Sequence, residues 1–247
     1  MDLGLAGRTA AVAAASAGLG RASAAALAAE GVKVAICGRD RERIEKAAAE
    51  IGGDVVPLVA DVSDPDDATR FVNEAEKALG AVDILVPNAG GPPPGTFSST
   101  DLDAYRRAID LNLLSTVALC RAAVPAMRER GWGRVVAITS HGVHEPIPFL
   151  AASVTARAGV TGFLKVMAHE VAADGVTVNA VLPGVHDTER IRSLTGDLEQ
   201  VARGIPVGFL GAAEDFGQVV AFLCSRQARF VTGTRILVDG GASRGLL

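Results

Sequence analysis

Apolar runs of strand length alternate with helical patterns from Thr9 to Val238, and no other feature narrows the fold so far. Runs at 9–14, 32–37, 55–60, 82–87, 134–139, 176–182 and 236–238 predict strands. Helical patterns cover 18–30, 40–51, 65–79, 150–173 and 215–225, with a long helix expected inside 101–130. The strand runs are continuously apolar, as in a sheet covered on both faces. Such alternation calls for parallel strands joined by right-handed crossovers. Gly91-Pro92-Pro93-Pro94-Gly95 is too short for a domain linker and predicts a stiff loop after the fourth strand. The expectation is one α/β domain over 1–247, a doubly wound parallel sheet with helices on both faces. Its ligand belongs beyond the carboxyl ends of the strands.

The first strand runs into Ala13-Ala14-Ala15-Ser16-Ala17-Gly18-Leu19-Gly20 and then a helix. Bare backbone at Gly18 and Gly20 lets a pyrophosphate approach the amides of a helix start. In the first strand–helix unit of such a sheet, this is the Rossmann-type dinucleotide cradle. The ribose-discriminating position, about 20 residues on, reads Cys37-Gly38-Arg39-Asp40. No acid stands at 38 to hold a ribose 2′-hydroxyl, and the planar fork of Arg39 suits a 2′-phosphate. NADP(H) is therefore favoured, with NAD(H) as the alternative. Asp40 is assigned to capping the next helix.

Composition excludes other classes. The 247 residues carry a net charge of -4 with no basic block, which argues against nucleic acid or an anionic membrane as partner. No run of about 18 apolar residues is expected to span a bilayer. The alanine-rich run 9–20 imitates a secretory leader, but Asp2 and the closing glycines assign it to strand and turn. Cys37, Cys120 and Cys224 lie in apolar runs at spacings that fit neither disulfides nor zinc. They predict reduced core thiols, a cytoplasmic protein and no metal site.

Taken together, the motifs resemble the short-chain dehydrogenase/reductase family over nearly the whole chain, closest to its 3-oxoacyl-(acyl carrier protein) reductase-like branch. The turn at 13–20 matches TGxxxGxG with Ala13-Ala14 in place of Thr-Gly. Asp61-Val62, Asn88-Ala89-Gly90, Pro183-Gly184 with Thr188, and Val238-Asp239-Gly240-Gly241 match further signatures. The resemblance implies a cofactor site of Ala14, Ser16, Gly18, Leu19, Gly20, Arg39, Asp61, Val62, Asn88, Ala89, Gly90, Arg157, Pro183, Gly184 and Thr188. It implies Asn112 and Ser140 as active-site residues and a substrate lid near 185–210. It also implies a small-molecule or acyl-thioester substrate, and homo-oligomers, tetramers or dimers, formed through the helices at 101–130 and 150–173.

One motif departs from the pattern. The family's YxxxK pair stands thirteen residues after the serine, and counting from Ser140 reaches Ser153 and Arg157. A serine hydroxyl is a far weaker acid than a phenol. Arginine keeps its charge at neutral pH and is a poor proton relay. The chain has a single tyrosine, Tyr105, about two turns before Asn112 in the same predicted helix and assigned to packing or the helix surface. Substitute proton donors lie in the loop His141-Gly142-Val143-His144-Glu145, with Glu145 as an orienting carboxylate and His186 as a further candidate. His169 is assigned to structure. Arg190 with Arg192 in the lid suits an acidic substrate. Ala14 adds a methyl group where the family keeps the backbone bare, at a cost of roughly 1 kcal/mol if its φ is positive.

Two readings follow. One is a divergent NADP(H)-dependent oxidoreductase acting on a carbonyl/alcohol pair, with Ser140, Asn112, Ser153, Arg157 and His144 as its catalytic candidates. The other is a pseudoenzyme or binding module, or a non-redox enzyme, that keeps the fold without tyrosine-driven hydride chemistry.

Overall fold

Each predicted strand forms: β1 (Thr9–Val12), β2 (Lys33–Gly38), β3 (Val55–Val59), β4 (Ile84–Val86), β5 (Gly133–Ile138), β6 (Val176–Pro183) and β7 (Arg235–Val238). The computed structural model describes residues 1–245, so Leu246 and Leu247 of the expected domain lie outside the described residues. All pairings are parallel, in the order β3-β2-β1-β4-β5-β6-β7. The order reverses between β1 and β4, which leaves a crevice beyond their carboxyl ends.

Helices α1 (Gly18–Ala29), α2 (Arg41–Ile51), α3 (Pro65–Leu79), α4 (Leu102–Ala108), α5 (Ser115–Glu129), α6 (Ala151–Val171), α7 (Glu189–Leu194), α8 (Leu198–Arg203) and α9 (Ala213–Cys224) complete the domain. Successive strand residues face opposite cores. Ala11, Leu85, Val135 and Val178 pack with Phe71, Leu119 and Leu164 on the side of α3, α5 and α6. Ala10, Val12, Ile84 and Val181 pack with Leu27, Ile44 and Phe216 on the side of α1, α2 and α9. Helices α1 and α9 press together at Gly217, where a Cβ would collide with the backbone of Ala22. Asp40 caps α2 by accepting from the Arg43 amide at 2.9 Å, as expected.

Two expectations need correction. The long helix at 101–130 is interrupted by a π-helical turn over Ile109–Leu114, between α4 and α5. By length and hydropathy, Leu102–Glu129 does pass for a membrane span; half of its apolar window is buried within the fold, as in a core helix. Tyr105 packs with Ile109 against Ala108, Ala152 and Ala156, so it serves packing as assigned. The three cysteines are free and buried.

Strand β1 ends two residues earlier than predicted because Ala14 turns the chain with φ 47°, the sole positive φ at a non-glycine among the described residues. The methyl group is therefore strained. Ala14→Gly is expected to raise stability by about 0.5–1 kcal/mol, the relieved strain being partly offset by the freer unfolded chain. That predicts a rise of about 1–4 °C in the thermal midpoint. A lower midpoint would show that the methyl packs better than it strains.

Candidate active site

The turn after β1 is stitched to both neighbouring strands. The Ala13 amide donates to Val86 O at 3.1 Å and the Ala15 amide to Cys37 O at 2.8 Å. Asn88, at the end of β4, donates from Nδ2 to Ala13 O (3.2 Å) and Ala14 O (3.1 Å). Gly20 sits beneath this clamp: a Cβ there would stand 2.7 Å from both Ala14 O and Asn88 Nδ2. Gly18 takes φ 57°. Helix α1 opens at Ala17 with no side-chain cap and no acid in its first turn. Uncapped amides, positive helix-dipole potential and bare glycine backbone suit a diphosphate. The residues present thus fit the dinucleotide that the sequence implies.

At the far rim, Arg41 and Arg43 pair with Glu45 (3.4 Å) and Glu189 (2.8 Å). Arg39 is 78% exposed and reaches only 4.0 Å from Asp61 Oδ2. Arg41 is comparably exposed at 74%, and Arg39 holds the loosest ion pair of the three. A Cβ at Gly38 would stand 3.3 Å from Ser16 Cβ, so an acidic side chain at 38 would press on the turn. Asp61 Oδ1 accepts from the Ser63 amide (3.0 Å) and hydroxyl (2.8 Å), which fixes the carboxylate beside buried Val62.

Beyond β4 and β5 lies the second group of candidates. Asn112 is 2% exposed and sits in the π turn, a local widening of the helix often found at functional sites. Its Nδ2 donates to Gly90 O at 3.1 Å, while its Oδ1 is buried with no partner among the described residues. A cavity of about 10 Å³, lined by Asn112, Thr116, Thr139 and Arg157, lies beside it. Ser140 follows β5, and its Oγ accepts from the Gly142 amide at 3.1 Å. Ser153 and Arg157 stand one turn apart on α6, each 8% exposed. Arg157 donates from Nη1 to Thr139 O (3.0 Å) and Ile138 O (3.2 Å), and from Nη2 to Ala89 O at 3.4 Å. The guanidinium therefore ties β5 to the loop after β4. Burial, reinforced by the charge of Arg190, pulls its pKa down to about 10, so it remains protonated at neutral pH.

A family model described as enoyl-(acyl carrier protein) reductase matches residues 13–243. The chain belongs to the short-chain dehydrogenase/reductase family of oxidoreductases. It is 34% identical over 236 residues to 3-oxoacyl-(acyl-carrier-protein) reductase FabG of Escherichia coli, covering 95% of this chain and 97% of that one. It is 38% identical over 218 residues to the inactive 2-(S)-hydroxypropyl-CoM dehydrogenase 2 of Xanthobacter autotrophicus, covering 85% and 95%. An NADPH-bound short chain oxidoreductase from Pseudomonas aeruginosa, described as containing an atypical catalytic center, superposes with a TM-score of 0.91 at 32% identity. That match covers 96% of this chain and 97% of the other.

This member of the short-chain dehydrogenase/reductase family does not assemble all the proton donors expected from its sequence. Glu145 does not orient a histidine; its Oε2 accepts from the Arg244 amide at 2.8 Å. His144 Nε2 is buried without a partner among the described residues. His141 Nδ1 lies 3.0 Å from Pro183 O. A carbonyl can only accept, so Nδ1 carries the proton and Nε2 is the basic nitrogen. His186 is corrected to a structural residue. It is 4% exposed, packs edge-on against Phe216 at 5.2 Å, and burial lowers its pKa. His169 is exposed on α6.

The lid segment holds α7 and α8 and approaches the cradle: Thr188 lies near Gly18, where a Cβ would be 3.7 Å from its methyl group. Gly184 must stay bare, because a Cβ there would stand 2.6 Å from Asp239 Cα. Sequence reasoning missed two contacts across this cleft, Arg43 with Glu189 and Arg190 over Gly91. Both join residues far apart in the chain, and no local pattern marks them.

Proposed function

We propose that the chain is an NADP(H)-dependent reductase of a ketone, or oxidant of the matching alcohol, working without a catalytic phenol. The observation that carries this is the cleft itself. The uncapped start of α1 and Arg39 border the turn after β1, and Asn112 and Arg157 line one small cavity beyond β4 and β5. NADPH, when bound, supplies the hydride. The Ser140 hydroxyl orients the carbonyl oxygen, and Asn112 holds the loop at Gly90 in place. The buried positive charge of Arg157 favours negative charge developing on that oxygen. The proton reaches it from solvent by way of Ser153, because Arg157 does not release one at neutral pH. The resemblance to the Escherichia coli reductase supports acyl-thioester ketones among the substrates to be tried.

The first test is titration with NADPH and NADH, followed by fluorescence. NADPH is expected to bind the more tightly. Arg39→Ala is expected to weaken NADPH by about 10–100-fold while changing NADH far less, since a charge-assisted phosphate contact is lost. Binding of neither nucleotide would return the chain to the binding-module reading. Cytoplasmic residence and homo-oligomer formation belong to the same proposal. Exposed Phe222, Phe230 and Leu237 near the β7 edge provide apolar surface for a second copy.

A further inference from the structure

Strand β5 ends at Ile138, yet its ladder with β6 is carried further by a side chain. The register pairs Ile138 with Val181, and the Thr139 amide donates to Val181 O at 3.0 Å. In a parallel ladder every second amide bonds to every second carbonyl, so the next rung would run from the His141 amide to Pro183 O. The chain turns first. Ser140 caps a 3-10 turn over His141–Val143, its Oγ accepting from the Gly142 amide at 3.1 Å. Pro183 O is met instead by the His141 ring, whose Nδ1 lies 3.0 Å away and donates. The imidazole thus stands in for the backbone donor that the turn withdraws. On its other side the end of β6 is held by β7: Pro183 pairs with Val238, and the Gly184 amide donates to Val238 O at 2.9 Å.

We infer that His141 is a positioning residue for hydride transfer: it clips the end of β6, where Pro183 and Gly184 border the proposed cofactor site, to the turn that carries Ser140. The inference rests on the oxidoreductase reading. Neutral imidazole with its proton on Nδ1 and imidazolium both donate from Nδ1, so the clip holds in either protonation state. Around it, the His144 and Glu145 amides donate to His141 O at 2.9 and 3.0 Å. Asp239 is the acid whose carboxyl feels the charge of His141. Burial raises that carboxyl, but hydrogen bonds from Ser243 and Gly241, with the His141 charge, bring it below its ordinary value. Asp239 is occupied by the Gly241 amide (3.0 Å) and the Ser243 amide (2.9 Å), which leaves the Pro183 carbonyl as the recorded partner of the ring.

Two variants test it. His141→Phe keeps a ring without a donor, and His141→Asn keeps a donor nitrogen in the place of Nδ1 without a titrating group. In single-turnover hydride transfer at saturating ketone, the Phe variant is expected to be about 10–100-fold slower, the order of loss that a misplacement of about 1 Å brings. Its NADPH affinity is expected to stay within about threefold of the wild type, because the diphosphate cradle is untouched. The Asn variant is expected to restore the rate to within about threefold from roughly pH 6 to 9. A folded Phe variant at the wild-type rate overturns the inference. So does an Asn variant as slow as the Phe variant, which would assign His141 to proton transfer instead. If His141→Phe does not fold, His141→Ala serves as the variant without a donor. A second readout needs no nucleotide. Hydrogen exchange of the Gly184 amide is expected to be about 2–10-fold faster without the donor and close to wild type in His141→Asn. Unchanged exchange without the donor overturns the clip, whereas failure of the wild type to bind either nucleotide sinks the oxidoreductase reading separately.

Discussion

Ser153→Tyr combined with Arg157→Lys is expected to raise kcat for ketone reduction by roughly 10²–10⁴-fold, the usual contribution of a positioned general acid. The two positions share one face of α6, one turn apart, below Ser140 and the loop after β4. A phenol at 153 would extend from a buried helix turn toward the carbonyl, with an acidity much closer to neutrality than that of an alcohol. Lysine at 157 would keep a buried cation, and its pKa shifts more readily than that of arginine. The single Ser153→Tyr variant is expected to gain less, because Arg157 binds three carbonyls and offers no mobile proton. Single-turnover hydride transfer, followed at the nicotinamide absorbance with saturating ketone, measures the effect. An unchanged or lower rate in a folded double variant would mean that the wild type already has an efficient donor. His141, held through Nδ1 at Pro183 O, would then be the first to replace.

Gly20→Ala is expected to cost about 1–3 kcal/mol of stability and to weaken NADPH binding by at least about tenfold. The added carbon would meet a backbone oxygen and the Asn88 amide at 2.7 Å, well inside van der Waals contact. The Asn88 side chain cannot give way without releasing Ala13 O and Ala14 O, to which its Nδ2 donates two hydrogen bonds. Ala14 is already strained at φ 47°, so the turn has little capacity to absorb a shift. Chemical denaturation and nucleotide titration of the same variant read the two effects. Wild-type affinity with reduced stability would separate the packing of α1 from its role as a phosphate cradle.

Much of the site was legible because its residues lie at strand ends. Alternation placed β1, β2, β4 and β5; Gly18, Gly20 and Arg39 then followed from their offsets along the chain, while Asn88 and Ser140 came from the resemblance to the family. Counting from Ser140 placed Ser153 and Arg157 on one helix face, and the structure brings them there. The histidine loop was legible only as a list of donors. Polar residues in a short loop have no periodicity, so His141 could not be told from His144, nor Glu145 assigned to the Arg244 amide. His186 was misplaced because its burial depends on Phe216 and Gly211, 25 or more residues away in the chain.

The sequence by itself determined the fold class, the family and the absence of a tyrosine at 153. These depend on pattern period and residue identity, which are local. The tertiary structure decided what each residue can do. It set Ala14 in a strained conformation, left Asn112 Oδ1 without a partner among the described residues, and brought Arg190 over Gly91 while burying Arg157. Burial and charge proximity are sums over elements remote in the chain, and only packing brings those elements together.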